Sequence, residues 1–331
     1  MQKIRWGLLS TANINRRLIP AIRMSERGEL VAVASRSEQS AKAYAQEWGI
    51  PQVFATYEAM LQSDAVDAVY ISLPNHLHAH WSIYAMQQGK HVLCEKPFAV
   101  SMAEVDEMIA VSKSTGIRIA EAFMYRHHPQ TKIAGEWVRN GRLGNIVLMR
   151  GVFNFKMRTR ENVRLVPDFG GGCMWDVGVY PMSMAQFIMG APPESAQAEQ
   201  WIGPSGVDEQ FNGQLNFSNG RMAQISSSFR TPWYTHVDIL GTEGRLVLNR
   251  PFTGLESPDR RLMFYPAKGH PEKIPVPEEY LYLGEVNDMH AAILDGTPNY
   301  LTLSETRNHI RTTLALYKSA QNGRVVHLSE I

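Results

Sequence analysis

The chain has 331 residues, of which 44% are hydrophobic and 20% are charged, with a formal net charge of +1. This composition predicts a globular protein large enough for two domains, and the near-neutral charge argues against nucleic acid or an anionic membrane as a partner. The two cysteines, Cys94 and Cys173, fit a reducing compartment better than a disulfide scaffold or a zinc site. Without a signal-like N-terminus or a membrane-length apolar run, we expect a soluble cytoplasmic protein.

The first part of the chain alternates short apolar runs with longer amphipathic segments. The strand-like runs are residues 4–9, 30–35, 68–73, 91–94 and 117–120. The helical segments are residues 13–24, 37–48, 57–62, 77–88 and 102–114. This alternation predicts an α/β, Rossmann-like, doubly wound parallel sheet with helices on both faces.

After Glu121 the pattern becomes that of a sheet with few helices. Strands are predicted at residues 146–155, 211–217, 221–229, 236–240 and 245–248, and helices at 129–140, 174–189, 279–295 and 304–321. Ser-Asn-Gly and Thr-Glu-Gly between these strands are typical of hairpin turns. We therefore expect a dinucleotide-binding domain over residues 1–122. An α+β domain with a large, mostly antiparallel open sheet should follow over residues 123–331.

The first β-α turn reads Ser10-Thr11-Ala12-Asn13-Ile14-Asn15, where a dinucleotide-binding fold carries G-x-G-x-x-G. Ser10, Ala12 and Asn15 fill the three glycine positions. The small residues still allow a pyrophosphate to approach, and the helix N-terminus behind them offers N–H groups and positive potential. An ordinary tight turn is the alternative interpretation.

The second strand ends at Ser35 and Arg36, where an NAD-selective site often carries an acid for the ribose. A serine and an arginine could instead bind a 2′-phosphate. This favours NADP over NAD, unless Arg36 simply lies on a solvated loop.

The third candidate stretch is Leu73-Pro74-Asn75, followed by His78 one turn into the next helix. Pro74 ends the strand and Asn75 can cap the helix. His76, His78 and His80 lack a convergent carboxylate or thiol, so we do not predict a metal site.

The fourth candidate stretch is Glu95-Lys96-Pro97, at the end of the apolar run that begins at His91. Pro97 disfavours the helical region for Lys96, so the lysine should stay extended at the carboxyl end of a strand. In open α/β sheets this edge is where ligands bind. A surface Lys-Pro turn is the alternative.

The unusual stretch of the second half runs from Gly170 to Tyr180. Its three glycines allow a close backbone approach before a helix, and Asp176 and Tyr180, four residues apart, should share a helix face. An acid and a phenol that point the same way suit proton transfer. The alternative is a buried tyrosine bonded to an aspartate.

Together these motifs resemble the Gfo/Idh/MocA oxidoreductases over nearly the whole chain. The motifs that carry the resemblance are Ser10-Thr11-Ala12, Leu73-Pro74-Asn75 with His78, Glu95-Lys96-Pro97, the stretch from Glu121 to Arg126, and the stretch from Gly170 to Tyr180. Tyr180 stands where many members have histidine. The resemblance is therefore closest to the branch that contains dimeric dihydrodiol dehydrogenase, D-xylose dehydrogenase and 1,5-anhydrofructose reductase.

The resemblance implies an NAD(P)-dependent hydride transfer at a secondary alcohol or carbonyl of a sugar or polyol. Lys96 and Tyr180 would flank the reacting carbon, and Asp176 would position them or the sugar. We assign direct proton transfer to Tyr180 and polarisation to Lys96, although the reverse division is open. The implied cofactor contacts are Ser10, Thr11, Ala12, Asn13, Ile14, Ser35, Arg36, Leu73, Pro74, Asn75, His78, Glu95, Lys96 and Arg126.

The resemblance also implies a homodimer or higher homo-oligomer built through the open sheet. Two other functions stay open: a glycosidase that oxidises its substrate transiently with bound NAD, and a non-catalytic nucleotide-sensing regulator. The sugar itself is not predicted. Candidate substrate contacts in the second half are Arg158, Arg164, Asp168 and Trp233.

Overall fold

The computed structural model describes residues 2–159, 161–253 and 260–331. The strands are β1 Ile4–Leu9, β2 Gly28–Ala34, β3 Gln52–Phe54, β4 Ala68–Ile71, β5 His91–Glu95, β6 Ile119–Ala122, β7 Ile146–Asn154, β8 Ser195–Ile202, β9 Asp208–Asn216, β10 Met222–Ser228, β11 Tyr234–Gly241, β12 Gly244–Asn249, β13 Leu262–Pro266, β14 Glu272–Ile274 and β15 Val326–His327. The helices are α1 Asn15–Met24, α2 Glu38–Trp48, α3 Tyr57–Leu61, α4 His78–Gln87, α5 Met102–Thr115, α6 Met124–His127, α7 Pro129–Arg139, α8 Val179–Met189, α9 Leu283–Leu294 and α10 Leu303–Asn322.

The chain folds into two compact units, and both are discontinuous in sequence. The first unit contains Met1–His127 and Tyr280–Thr306, and the second contains His128–Glu279 and Arg307–Ile331. Helix α9 therefore belongs to the first unit. The functional division into a cofactor domain over residues 1–122 and a substrate domain over residues 123–331 stays a prediction.

The first unit is built on a six-stranded parallel sheet with the order β3-β2-β1-β4-β5-β6. Every residue of β4 and β6 is buried, as expected for parallel strands covered by helices on both faces. The strand order reverses between β1 and β4, and this switch point is where doubly wound folds bind nucleotides. The predicted Rossmann-like sheet is confirmed, with β3 as an additional short strand.

Local sequence signals set the ends of two helices in this unit. The hydroxyl of Ser37 accepts the N–H of Ser40 and starts α2, and the hydroxyl of Ser101 accepts the N–H of Glu104 and starts α5. Gly49 and Gly116 end the same two helices with left-handed backbones. The crossovers between parallel strands therefore have defined lengths.

The second unit is built on a nine-stranded sheet with the order β14-β13-β12-β11-β7-β10-β9-β8-β15. Neighbouring strands of this sheet pair antiparallel, except for β7 and β10, which pair parallel. Helix α8 approaches β7 so closely that a Cβ on Gly151 would lie 2.7 Å from that of Pro181. The predicted large, mostly antiparallel sheet is confirmed.

Within the described ranges, no helix combines the length and the apolar character that a membrane span requires.

Candidate active site

The first β-α turn has a glycine-like backbone although it contains no glycine. Ser10 has a φ of 132°, which L-residues rarely adopt. Its hydroxyl oxygen accepts the Ala12 N–H at 3.1 Å and lies 2.8 Å from the Ser72 hydroxyl oxygen. Hydrogen bonds from the side chain therefore hold the turn in a conformation that glycine would adopt without strain.

Asn15, at the third glycine position, completes this network. It is fully buried at the start of α1; its amide nitrogen donates to the carbonyl oxygen of Ser10 at 2.8 Å. The Ser72 hydroxyl donates to the side-chain oxygen of Asn15 at 2.6 Å. The Ser10 hydroxyl is then the donor in its contact with Ser72. The ends of β1 and β4 and the start of α1 are thus tied together at the switch point.

The start of α1 suits an anionic ligand. No side chain caps the helix at Ile14, and its first turn contains no acidic residue. The positive end of the helix dipole is therefore not neutralised locally, which favours a phosphate group. The contact of residues 10–14 with the pyrophosphate of a dinucleotide stays a prediction.

Ser35 and Arg36 follow the end of β2, the next strand outward from β1 in the sheet. Ser35 is buried, and its hydroxyl accepts the Ser37 N–H at 3.4 Å. Arg36 is exposed and lies close to Tyr57. Burial raises the pKa of Tyr57, and the adjacent arginine opposes that rise. Arg36 therefore lies at this edge of the sheet, while its contact with a 2′-phosphate stays a prediction.

His78 joins the loops that follow β4 and β5. It is fully buried, with Nδ1 2.8 Å from the Pro97 carbonyl oxygen and Nε2 2.8 Å from that of Leu73. Burial lowers its pKa to about 4, while the two carbonyl oxygens, each of which calls for an N–H donor, oppose this fall. Pro74 and Asn75, between Leu73 and this ring, lead into a short 3₁₀ turn. His78 thus sets the distance between the two predicted cofactor loops, and its own cofactor contact stays a prediction.

Lys96 follows the last residue of β5, and its peptide bond to Pro97 is cis. Its backbone N–H donates to the Glu95 carboxylate at 3.2 Å, and the other oxygen of that carboxylate accepts the Tyr70 hydroxyl. Tyr70 is paired with Leu93 across β4 and β5, so Glu95, two residues later, lies on the same face of the sheet. The expected position of Lys96 at the carboxyl end of a strand is confirmed.

A second carboxyl group, Glu285 on α9, lies in the electrostatic environment of Glu95. Glu285 is 2% exposed, and among the described residues neither of its oxygens has a hydrogen-bond partner. Burial, followed by the charge of Glu95, raises its pKa well above the ordinary value. The charged form of Glu285 is therefore disfavoured beside Glu95.

Arg126, a predicted cofactor contact, is 1% exposed in α6. Its Nη2 atom forms an ion pair with Glu305 at 2.9 Å, and its guanidinium carbon lies 5.9 Å from the ring centroid of Tyr300. The arginine holds down the pKa of Glu305 against the effect of burial. These contacts give Arg126 a structural role in the first unit, and its contact with a cofactor stays a prediction.

In the second unit, two of the three glycines after Phe169 are required by close contacts. A Cβ on Gly171 would lie 2.7 Å from the carbonyl oxygens of Arg164 and Val166. Gly172 has a φ of 123°, and a Cβ there would lie 2.0 Å from a carboxylate oxygen of Asp208. The loop can therefore fold back on itself directly before the candidate acid.

The predicted helix at 174–189 begins differently from the expectation. Residues Met174–Gly178 form a π-helical turn, and the α-helix starts at Val179. A Cβ on Gly178 would lie 2.8 Å from the hydroxyl oxygen of Ser227, so the wide turn fits closely against β10. Such π turns often occur at functional sites.

Asp176 lies in this π turn, and Tyr180 is the second residue of α8, which follows it. Asp176 forms an ion pair with Arg164, whose Nε atom is 2.8 Å from the carboxylate. Tyr180 is 6% exposed, with ring centroids 5.3 Å from Phe153 and 5.6 Å from Phe252. The structure thus places the acid and the phenol on one continuous segment, each held by its own neighbours.

The sequence analysis did not identify four residues that support these arrangements: Ser72, Tyr70, Glu285 and Asp208. Each acts on a motif residue from a distant part of the chain, so the local pattern contains no signal for it. Arg164 was considered as a substrate contact but was not recognised as the partner of Asp176. Over the described parts of the chain, no group of three or more His, Cys, Asp or Glu side chains could hold a metal ion.

Comparison with known families assigns both halves of the chain. Residues 4–123 match the model described as "Oxidoreductase family, NAD-binding Rossmann fold". Residues 131–247 match the model described as "GFO/IDH/MocA C-terminal domain".

Similar proteins extend over nearly the whole chain. D-xylose 1-dehydrogenase (NADP(+)) 2 of Haloferax volcanii is 36% identical and covers 98% of this chain and 99% of its own. The 1,5-anhydro-D-fructose reductase of Ensifer adhaerens is 29% identical, with 98% coverage of both chains. A 3-ketoreductase of Actinomadura kijaniata, solved with NADP and TDP-benzene, has a TM-score of 0.90 at 28% identity and covers 96% of this chain and 98% of its own. The chain therefore belongs to the Gfo/Idh/MocA family of oxidoreductases, as its motifs predicted.

Proposed function

We propose that the protein is an NADP-dependent dehydrogenase or reductase that acts on a secondary alcohol or carbonyl of a sugar or polyol. The observation that carries the proposal is the position of Lys96, held at the carboxyl end of β5 by the Glu95 carboxylate. Relatives named as D-xylose dehydrogenase and 1,5-anhydro-D-fructose reductase support a sugar substrate. Which sugar reacts is left to experiment.

Cofactor binding follows from the carboxyl edge of the parallel sheet. Ser10, Thr11, Ala12, Asn13 and Ile14 would hold the pyrophosphate at the start of α1. Residues 73–75, 78, 95–96 and 126 belong to the same proposed site, where bound NADP supplies the hydride acceptor or donor.

The choice of NADP depends on Ser35 and Arg36. Both residues follow β2, a strand end that carries no acid to repel a 2′-phosphate. Arginine binds phosphate through paired hydrogen bonds. The ketoreductase solved with NADP and the relative named for NADP(+) support the same preference.

Tyr180 would accept the hydroxyl proton when the alcohol is oxidised, and Lys96 would polarise the reacting oxygen. The rings of Phe153 and Phe252 restrict the orientation of Tyr180, while Asp176 would orient the sugar or the two proton-carrying groups. The Actinomadura reductase has been solved with a lysine replaced and with a tyrosine replaced. Those two positions are separated by the same number of residues as Lys96 and Tyr180, which supports the pair.

The homo-oligomer is a further part of the proposal. Gln224 and His236 line a concavity of about 630 Å³ on one face of the nine-stranded sheet. Met222 lies two residues before Gln224, and Tyr234 lies two residues before His236, so all four side chains are on the same face of the sheet. Met222 is 38% exposed and Tyr234 is 51% exposed. A second copy of the chain would bury these side chains.

Light scattering should give more than one chain per particle, and Tyr234→Lys should lower that number. A monomeric unmodified protein would contradict the proposal. A cytoplasmic location is proposed with it.

The function is tested with a panel of aldoses, ketosugars, deoxysugars and inositols, each assayed with NADP and with NAD. Net reduction or oxidation of NADP that depends on one class of sugar is the expected result. Release of a sugar without net change in the nicotinamide would indicate a glycosidase. Nucleotide binding without turnover on any substrate would indicate a regulator. Either of the last two results would overturn the proposal.

A further inference from the structure

Asp208, at the start of β9, lies against the turn that carries Asp176. It is 3% exposed, and its side-chain oxygens accept three hydrogen bonds from distant parts of the unit. The donors are the Met174 N–H at 2.7 Å, the Cys173 thiol at 3.2 Å and the Tyr317 hydroxyl at 2.9 Å. The Met174 N–H can only donate, and the Cys173 thiol and the Tyr317 hydroxyl donate in this arrangement, so the carboxylate form satisfies all three contacts at once.

This contact fixes the start of the π turn in two ways. The carboxylate accepts the Met174 N–H, which is among the first N–H groups of the turn. It also occupies the space beside Gly172, where a Cβ would lie 2.0 Å from its Oδ1 atom. Tyr317 extends the contact, because its ring lies 5.5 Å from that of Trp175.

We propose that Asp208 is a positioning residue whose carboxylate form holds the turn that carries Asp176 and Tyr180. Protonation would place a proton on one carboxyl oxygen, so that the Tyr317 hydroxyl or the Cys173 thiol must reverse its donor role or lose its contact. The hydrogen bonds that hold the turn must then rearrange, and the turn loosens. The catalytic consequence rests on the proposed function, whereas the structural response does not.

Among these hydrogen-bonded side chains, Asp208 is the one whose protonation changes near neutral pH. Burial raises its pKa to about 6, although the bonds from Met174 and Tyr317 oppose the rise. Burial also raises the pKa values of Cys173 and Tyr317, so both donors keep their protons. Among the described residues, Asp176 and Arg164 are charged neighbours of this turn, and they are paired with each other.

The structural response is measured by ¹⁹F NMR of protein labelled with 5-fluorotryptophan. The signal of Trp175 is identified by its loss in Trp175→Phe. We expect this signal to titrate with a midpoint near the pKa of Asp208, about 6. In Asp208→Asn the transition should disappear. In Tyr317→Phe the midpoint should move to higher pH, because the carboxylate loses one donor.

Tyr265→Phe serves as the matched control, since Tyr265 contacts Arg245 instead; its midpoint should equal that of the unmodified protein. A Trp175 signal that does not change between about pH 5 and 8, or that titrates identically in Asp208→Asn, would overturn the inference. If Asp208→Asn does not fold, an unchanged midpoint in Tyr317→Phe overturns it equally.

The turnover number then connects this response to catalysis. It should fall on the acid side with the same midpoint, and Asp208→Asn should show a lower turnover number without that acid limb, with little change in the KM for NADP. If Trp175 titrates but the turnover number does not follow, Asp208 still holds the turn, and the roles proposed for Asp176 and Tyr180 are wrong.

Discussion

The Tyr70 hydroxyl donates to the carboxylate of Glu95, whose other oxygen accepts the backbone N–H of Lys96. A tyrosine buried in β4 therefore holds the residue that precedes the candidate lysine. The backbone of Lys96 is therefore held in place at the end of β5. A fixed backbone is a condition for accurate placement of the lysine ammonium group.

This relationship predicts the behaviour of Tyr70→Phe. The ring still fills its place, but Glu95 loses one donor and Lys96 loses part of its support. We expect turnover to fall by about tenfold, one step of roughly 1.4 kcal/mol in the barrier, with an unchanged Kd for NADP. Steady-state kinetics and calorimetric titration measure the two quantities. Tyr84→Phe, which removes a hydroxyl bonded to Gln62, is the control, and equal turnover in both variants would contradict the prediction.

The strained turn at Ser10 predicts an unusual order of stabilities. Ser10→Ala loses the hydroxyl bonds but keeps the φ of 132°, whereas Ser10→Gly loses the same bonds and relieves the strain. The alanine variant should therefore be less stable than the glycine variant by about 1–3 kcal/mol. Urea unfolding of the two variants gives the difference directly. An alanine variant as stable as the glycine variant would show that the backbone is not strained.

Arg36→Ala should change the choice of cofactor. Loss of the hydrogen bonds to a 2′-phosphate should weaken NADP binding by about 1.5–3 kcal/mol and leave NAD binding nearly unchanged. Calorimetric titration with each nucleotide measures both affinities. Arg118→Ala, another exposed arginine of the first unit, should keep the preference. If the unmodified protein binds NAD and NADP equally, the assignment of Arg36 is wrong.

His290 predicts how stability depends on pH. Its Nε2 atom accepts the Trp6 indole N–H at 2.9 Å, so Nδ1 carries the proton and donates to Ser25. Burial lowers its pKa to about 4, below the value near 6.5 of an unfolded histidine. The unfolded chain thus binds the proton first, and this contribution to stability is complete above about pH 6.5 and is lost as the pH falls towards 4.

The role of His290 is tested by the slope of the unfolding free energy against pH, compared between the unmodified protein and a variant without this histidine. In His290→Gln this slope should decrease between pH 6.5 and 4 by up to about 1.4 kcal/mol per pH unit, because one titrating group has been removed. Urea unfolding at a series of pH values gives both slopes. Parallel curves for the two proteins would mean that His290 is not a neutral buried acceptor.

Most of the regular elements could be predicted because apolar spacing is a local signal. The strands named from the sequence omit β8, β13, β14 and β15. Two other exceptions have physical reasons. Strand β3 covers three residues, with Gln52 exposed, and such a strand has no apolar run. The π turn before α8 was predicted as α-helix because both conformations accept the same residues, and the close fit of Gly178 against Ser227 is a tertiary contact.

The candidate site divides in the same way. Lys96, Asp176 and Tyr180 stand in short motifs that can be read directly, whereas their supporting residues cannot. Asp208 and Tyr70 each lie in a strand whose local sequence contains no motif that would mark them as functional. Only the pairing of strands and the fold of the glycine loop bring them to the motif residues.

Lys96→Met tests the polarising role. The variant should bind NADP normally, because the pyrophosphate contacts lie at the first β-α turn. Its turnover should fall by at least about a hundredfold, the usual scale for a positioned acid-base group. Lys90→Met, which removes an ammonium group bonded to the carbonyl oxygen of Ser63, is the control and should keep its turnover. Near-normal turnover of Lys96→Met would remove the lysine from the mechanism.

The most direct test of the account is the turnover number of Tyr180→Phe with NADP and the sugar identified by the panel. The substitution keeps the ring between Phe153 and Phe252 and removes only the hydroxyl, so the fold and the affinity for NADP should be retained. We predict a loss of at least about a hundredfold in turnover, because the group that accepts the hydroxyl proton is removed. A variant that keeps the rate and the pH profile of the unmodified enzyme would contradict the central claim that Tyr180 transfers the proton.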